Sequence, residues 1–543
     1  MFDNVLSIVA SVARSTRKMA KKTKKKEGDV VKDIKNKKSA GKLEVKENNN
    51  VLTLASFVSL VAFAVLCMIV YNIYTDVVHV PEMPTFDLHK TWGPNTTEPQ
   101  DTSIRPYRIV FSDAMNLEIR GLFEMYRRNE MKKSFNDTAW TYGVHSEAFS
   151  KIFNYWIFQY DFAKRERFLN QFKQYKTKIQ GLDIHYIHVK PEVEVNVMVC
   201  WCKFCDASGP DPPDRGPDRS SSSYAKTCQN SKVLPLLLLH GWPGSIREFY
   251  EAIPLLTTER PGYKFVFEVI VPSLPGFGFS QAPVRPGLSP HQIAIIMRNL
   301  MQRLGHKHYY VQGGNLGHII GSHMATLFPK EVVGFHTNFP VNFSKYAQWV
   351  WLLGSVWPKF VANENVDRMY PLGKKVNFYL EEFGFLHLQG TKPDTIGIAL
   401  QDSPVGLASY ILDRVMIFTD PANKLDPDGG MQKYYNYDQL LDNIMLYWIS
   451  GSITTSMRIY KEIFEDSDME KIIERIPTSV PTWGARFKND LAYSPDFLLK
   501  WKYPNLLGTS NYNVGGHLAA FERPKEFSDS VFEGVKSFLA FSK

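Results

Sequence analysis

Tyr309-Tyr310-Val311-Gln312-Gly313-Gly314-Asn315-Leu316-Gly317 is the stretch that decides the fold. An apolar run enters it, Gly313 and Gly314 precede Asn315, Gly317 follows, and helix-compatible sequence continues through Ile320, Met324 and Leu327. This is the pattern of a nucleophile elbow, in which a strained strand-to-helix turn lifts one side chain above a sheet and small neighbours let the backbone turn. The apex residue here is an asparagine. A carboxamide is a poor nucleophile at neutral pH, because its nitrogen lone pair is delocalised and its oxygen carries no full charge.

Outward from the elbow, strand-like runs alternate with helical ones. Strands are expected at 182–189 and 193–199 (as a hairpin), then at 233–239, 265–271, 309–312, 332–336, 480–487 and 506–513. Helices are expected near 286–304 and 316–328. Alternation of this kind predicts an α/β fold with a mostly parallel, eight-stranded sheet and helices on both faces. Its two parts are 181–341 and 471–543, and the helical, aromatic stretch 342–470 between them reads as a cap. Ahead of the sheet, 77–180 reads as a Pro-rich polar linker to about 105 followed, from Tyr142, by packed helices.

In this architecture a downstream acid and a final histidine follow the elbow in chain order. His517 stands in Gly515-Gly516-His517 directly after the last expected strand, and Asp490 on the loop after the preceding one, with Asp496 and Glu474 as competitors. His240-Gly241-Trp242-Pro243-Gly244 closes the strand at 233–239. Backbone N–H groups of Trp242 and Leu316 are therefore the expected oxyanion donors.

The net charge of +9 is concentrated at one end: residues 1–50 carry 14 Lys/Arg against 6 Asp/Glu, which leaves +1 for all the rest. The body gives no reason to expect nucleic-acid binding, and the basic tail reads as disordered. From Val51 to Tyr74 there are 24 uncharged residues ending in Tyr71 and Tyr74, the length and interfacial chemistry of a single membrane anchor. Lysines before it and Asp76, Glu82 and Asp87 after it predict a cytosolic N-terminus. Cys200, Cys202, Cys205 and Cys228 match no zinc spacing and are joined by no histidine, so 200–230 reads as an inserted loop. No metal or organic cofactor is implied, because nothing offers ligand spacing or a phosphate loop.

The chain also resembles the microsomal epoxide hydrolases of the α/β-hydrolase fold from about Tyr142 onward. Beyond the elbow and histidine loop, the likeness lies in Lys178-Ile179-Gln180-Gly181-Leu182-Asp183-Ile184-His185, Thr391-Lys392-Pro393-Asp394-Thr395-Ile396-Gly397 and Asp402-Ser403-Pro404-Val405-Gly406-Leu407-Ala408. The resemblance implies an elbow carboxylate that opens an epoxide, two cap tyrosines that hydrogen-bond the departing oxygen, and hydrolysis of the resulting ester by water that a His–acid pair activates. Carried over by position, His517 matches the base, Asp490 the orienting acid, and Tyr460 one tyrosine. Asn315 stands at the nucleophile position, Leu316 where the family has Trp, and Phe385 at the second tyrosine.

Both changes at reacting positions delete chemistry while nearly keeping volume. Losing a nucleophile typically costs ~10⁴–10⁶ in rate, and losing one donor to a developing alkoxide roughly 3 kcal/mol. Three readings follow: a family member with impaired turnover that still binds hydrophobic epoxides or lipids; an active hydrolase, through deamidated Asn315 or direct attack by water; or a non-catalytic lipid-binding or scaffolding membrane protein. The resemblance also implies an endoplasmic-reticulum anchor with a cytosol-facing body, opposite to the orientation the lysine-rich tail predicts. It implies hydrophobic small molecules as partners, xenobiotic or lipid-derived.

Overall fold

A computed structural model describes residues 49–95, 100–128, 131–191 and 231–542. The basic tail, the expected strand at 193–199 and the cysteines at 200–228 lie outside these residues. The chain divides between His79 and Val80 into two units.

In the first unit, α1 (Asn49–Val78) is one continuous helix through the uncharged run. Leu60, Phe63, Leu66, Met68, Val70, Tyr71 and Tyr74 are exposed on it. Among the described residues no helix is long and apolar enough to cross a membrane, and side chains at 51–58 lie outside the description. The anchor expected at 51–74 is thus a property of the sequence without structural support of its own.

The second unit is built on nine strands: β1 (Arg105–Tyr107), β2 (Gln174–Ile179), β3 (Leu182–Val189), β4 (Lys232–Leu239), β5 (Phe265–Pro272), β6 (Tyr309–Gly313), β7 (Val332–Thr337), β8 (Thr482–Phe487) and β9 (Leu506–Tyr512). Their order is β1-β2-β3-β5-β4-β6-β7-β8-β9. Pairing is antiparallel from β1 through β3 to β5 and parallel from β5 to β9. The parallel strands read as continuous apolar runs because both faces are covered; β6 is buried along its whole length.

Two expectations change. Among the described residues the sheet has nine strands where eight were expected, and β3 lies between β2 and β5. Gln180 and Gly181 connect β2 to β3 with φ of 48° and 82°, values a two-residue hairpin turn demands. Both missed strands carry weak signals: β1 has three residues, and Lys176 and Lys178 interrupt β2. The expected linker is also packed against the body. Trp92 is fully buried, and its backbone N–H donates to Gln180 O at 2.8 Å.

Helices α2 (Asp113–Arg128), α3 (Ser146–Phe158) and α4 (Phe162–Leu169) precede the sheet; α5 (Pro290–Arg303) and α6 (Leu316–Leu327) cross between its strands. Between β7 and β8 the chain is helical and includes α7 (Gly384–Thr391), α8 (Pro393–Asp402), α9 (Pro404–Thr419), α10 (Tyr437–Ser450) and α11 (Ile453–Glu465). An 18-residue helix, α12 (Pro524–Phe541), ends the described chain.

A buried charge cluster ties α10 down. Asp442, fully buried, pairs with Arg165 of α4 and accepts from Arg247 Nε at 2.9 Å and Tyr160 Oη at 3.0 Å. Desolvation makes such a cluster a weak source of net stability, yet removing one partner strands the others.

Candidate active site

The elbow is tight for identifiable steric reasons. A Cβ on Gly313 would lie 2.1 Å from Gly317 O, and one on Gly317 would lie 2.1 Å from Leu239 O. Asn315 sits at φ 54°, ψ −128°, a conformation an L-residue holds only when its surroundings impose it. Gly241 admits it, since a Cβ there would lie 2.4 Å from the Asn315 side chain.

Asn315 Oδ1 accepts from Leu316 N at 2.6 Å and from Trp242 N at 3.3 Å. The two expected oxyanion donors therefore converge, and the asparagine's own oxygen lies between them. Asn315 Nδ2 donates to Trp242 O at 3.0 Å and to His517 Nε2 at 2.8 Å. Flipping the carboxamide would set its N–H groups against two backbone N–H groups, so the network fixes the amide. Since His517 Nε2 accepts, the ring proton sits on Nδ1, where it meets Asp490 Oδ1 at 2.7 Å. His517 and Asp490 are both buried. The competitors are engaged elsewhere: Asp496 pairs with Arg486 at 2.6 Å, and Glu474 accepts from Phe343 N at 3.2 Å.

Over these polar groups lies an aromatic wall. Phe385, from α7, stacks on Trp242 with centroids 5.3 Å apart and meets Tyr460, from α11, edge-on at 6.0 Å. Tyr460 is buried, which raises its phenol above the usual range and keeps it a hydrogen-bond donor; its hydroxyl bonds no described residue. Phe339 and Phe418 close around the His517 ring at 4.5 and 5.1 Å. All seven residues expected at the site (Asn315, Leu316, Trp242, Asp490, His517, Tyr460 and Phe385) are thereby linked by direct contacts.

Several further residues at this place were not foreseen. Tyr410, on α9, packs edge-on to Trp242 at 5.8 Å and accepts from Gln389 Nε2 at 3.2 Å, which leaves its own O–H free to donate. The Trp242 indole N–H is buried without a partner among the described residues. Asn443 Nδ2 donates to Pro243 O and Tyr447 Oη to Gly244 O, at 2.8 and 2.7 Å, fixing the loop that presents Trp242 N. Glu522 accepts from Gly516 N at 2.6 Å and Leu518 N at 2.9 Å, bracketing His517, and burial pushes its carboxyl up to about 8. None of these follows a spacing rule, so only proximity identifies them.

Two family profiles match the chain: "Epoxide hydrolase N terminus" over residues 104–202 and "alpha/beta hydrolase fold" over 235–387. Juvenile hormone epoxide hydrolase of Bombyx mori is 42% identical over 460 residues, covering 84% of this chain and 92% of the relative. The chain belongs to the epoxide hydrolase family. Within that family, Epoxide hydrolase 1 of Sus scrofa is 37% identical over 447 residues, covering 81% and 90%. The crystal structure of the Bombyx mori epoxide hydrolase superimposes with a TM-score of 0.76 at 41% identity, covering 84% of this chain and all of that one. An Aspergillus niger epoxide hydrolase shares the fold, with a TM-score of 0.61 at 23% identity over 81% of this chain and 97% of that one. The family likeness begins near residue 104, earlier than the Tyr142 expected from motifs alone, because α2 carries an amphipathic pattern but no motif.

Proposed function

We propose that this epoxide hydrolase family protein binds hydrophobic epoxides or related lipids at the Asn315 site and is impaired in turning them over. The observation that carries this is the Asn315 carboxamide itself. Its oxygen occupies both backbone donors, and its N–H group occupies the lone pair of His517 Nε2. A general base needs that lone pair turned toward water. The same hydrogen bond therefore opposes direct water attack, while the neutral amide removes covalent attack.

In an unblocked site the residues take the roles that the family resemblance implies. An acid at 315 attacks an epoxide carbon; Tyr460, and in this chain Tyr410 in place of the missing phenol at Phe385, donate to the oxygen that leaves. The resulting ester oxygen rests between Trp242 N and Leu316 N while water, deprotonated by the His517–Asp490 pair, attacks the ester carbon. The wall of Trp242, Phe385 and Phe418 suits an apolar body, and the bare indole N–H suits a ligand oxygen. The curated relatives named for juvenile hormone epoxides support a lipid-like ligand class.

The 24 uncharged residues at 51–74 act as a membrane anchor in this reading, placing the site beside the endoplasmic-reticulum bilayer where apolar ligands concentrate. Hydrolysis of an aryl epoxide by the chain as written, its Asn315 verified by peptide mass, is compared with Asn315→Asp. Turnover only in the variant is the expected result. Equal turnover by the mass-verified asparagine protein overturns the proposal.

A further inference from the structure

We propose that His188, Glu268 and His306 form a divalent transition-metal site, of the type that takes zinc, toward the end of the parallel strands opposite to the one that carries the elbow. His188 is next to last in β3, Glu268 is the fourth residue of β5, and His306 lies in the turn between α5 and β6. Because β3 runs antiparallel to β5 with His188 opposite Ile270, the residue two places before Ile270, Glu268, shares a face with His188 as its diagonal neighbour. The turn into β6 enters at the same end of the strands.

Glu268 Oε1 lies 2.7 Å from His188 Nε2 and 3.8 Å from His306 Nε2, and the three ligand atoms fall within 4.8 Å of one another. An ordinary ion pair accounts for His188 and Glu268. It does not account for His306, whose Nε2 is shielded from solvent and has no hydrogen-bond partner among the described residues. At 3.8 Å that nitrogen is too far from Oε1 for a hydrogen bond. The spacing instead suits two ligands sharing an ion, since donors about 2.0–2.1 Å from zinc at a tetrahedral angle stand roughly 3.4 Å apart.

Two imidazoles and one carboxylate are a set that zinc accepts, with its fourth position left to water. The ring nitrogens must be unprotonated to bind, so His188 moves the proton on Nε2 to Nδ1 or to solvent. Lys190 Nζ approaches Glu268 Oε1 at 3.7 Å, but that side chain is 74% exposed and can swing out. Held this way, the ion joins the end of β3, the start of β5 and the turn before β6. Its expected effect is on stability.

The test uses the full chain in detergent, stripped with EDTA and titrated with ZnCl₂ alone, followed by calorimetry and by Tm. The wild type is expected to bind one more zinc ion per chain than His306→Phe and to show a rise in Tm that the variant lacks. Cobalt in place of zinc should give the visible absorption of a four-coordinate ion, lost in Glu268→Gln. His306→Gln, which keeps a polar group, serves should the Phe variant fail to fold. Equal zinc stoichiometry and equal Tm response in the wild type and the His306 variants, or no Tm response in the wild type, overturns the proposal.

Discussion

In the proposed reading the Asn315 carboxamide does two things at once: it offers no nucleophile, and its N–H group caps the base. Restoring both reacting groups should therefore act in sequence. Asn315→Asp is expected to start turnover, and adding Phe385→Tyr to raise kcat by a further ~10²-fold, the worth of one donor to a developing oxyanion. Phe385→Tyr alone should give nothing, and single-turnover kinetics with an aryl epoxide tests the order. Glu522 carries a pH prediction. Its folded carboxyl is raised to about 8 by burial while the unfolded one titrates near 4.5, so the stability it contributes is complete below about 4.5 and is lost as pH rises through 8. The urea midpoint should fall more steeply between pH 5 and 8.5 in the wild type than in Glu522→Gln; parallel slopes would remove Glu522 from the account.

At the scale of elements, the ends of four parallel strands deliver the site: Trp242 follows β4, Asn315 follows β6, Asp490 follows β8 and His517 follows β9. α7 and α11 bring Phe385 and Tyr460 from above. What seats this helical layer is the Asp442 cluster, and Asp442→Ala leaves Arg165 and Arg247 buried without their shared partner. A loss of about 3–5 kcal/mol is expected, read from chemical denaturation, whereas a loss within 1 kcal/mol would show the cluster to be dispensable. The elbow, the histidine loop and the parallel strands were legible because each has a local signature: glycines at fixed offsets, or an unbroken apolar run. β1 and β2 were not, being short or interrupted by lysines. Tyr410, Asn443 and Glu522 were silent for another reason, since a side chain that acts across a fold leaves no spacing rule in the chain.

For the whole molecule, the division at His79/Val80 separates α1 from everything that carries the site. A chain starting at Val80 is expected to fold, to bind epoxide ligands as the full chain does, and to lose membrane association in a flotation assay; retained flotation would count against the anchor at 51–74. Orientation is testable by glycosylation at the three Asn-x-Ser/Thr sequons, Asn95, Asn136 and Asn342. Asn342 is buried and donates to Leu498 O at 2.5 Å, so it does not serve as an acceptor in the folded protein, while Asn95 and Asn136 are exposed. A glycosidase-sensitive shift carried by those two places the body in the lumen.

The sequence by itself determined the fold class, the family likeness and the asparagine at the elbow, because strand periodicity, turn glycines and residue identity are local properties. It could not show that the Asn315 oxygen lies between Trp242 N and Leu316 N, or that its N–H group takes the His517 lone pair. Those contacts join residues 73 and 202 positions apart. Nor could it assemble His188, Glu268 and His306, which lie on two strands and a turn. Only the register of the sheet brings such distant groups within a hydrogen bond or a metal bond of one another, and that register is set by the packing of the whole core.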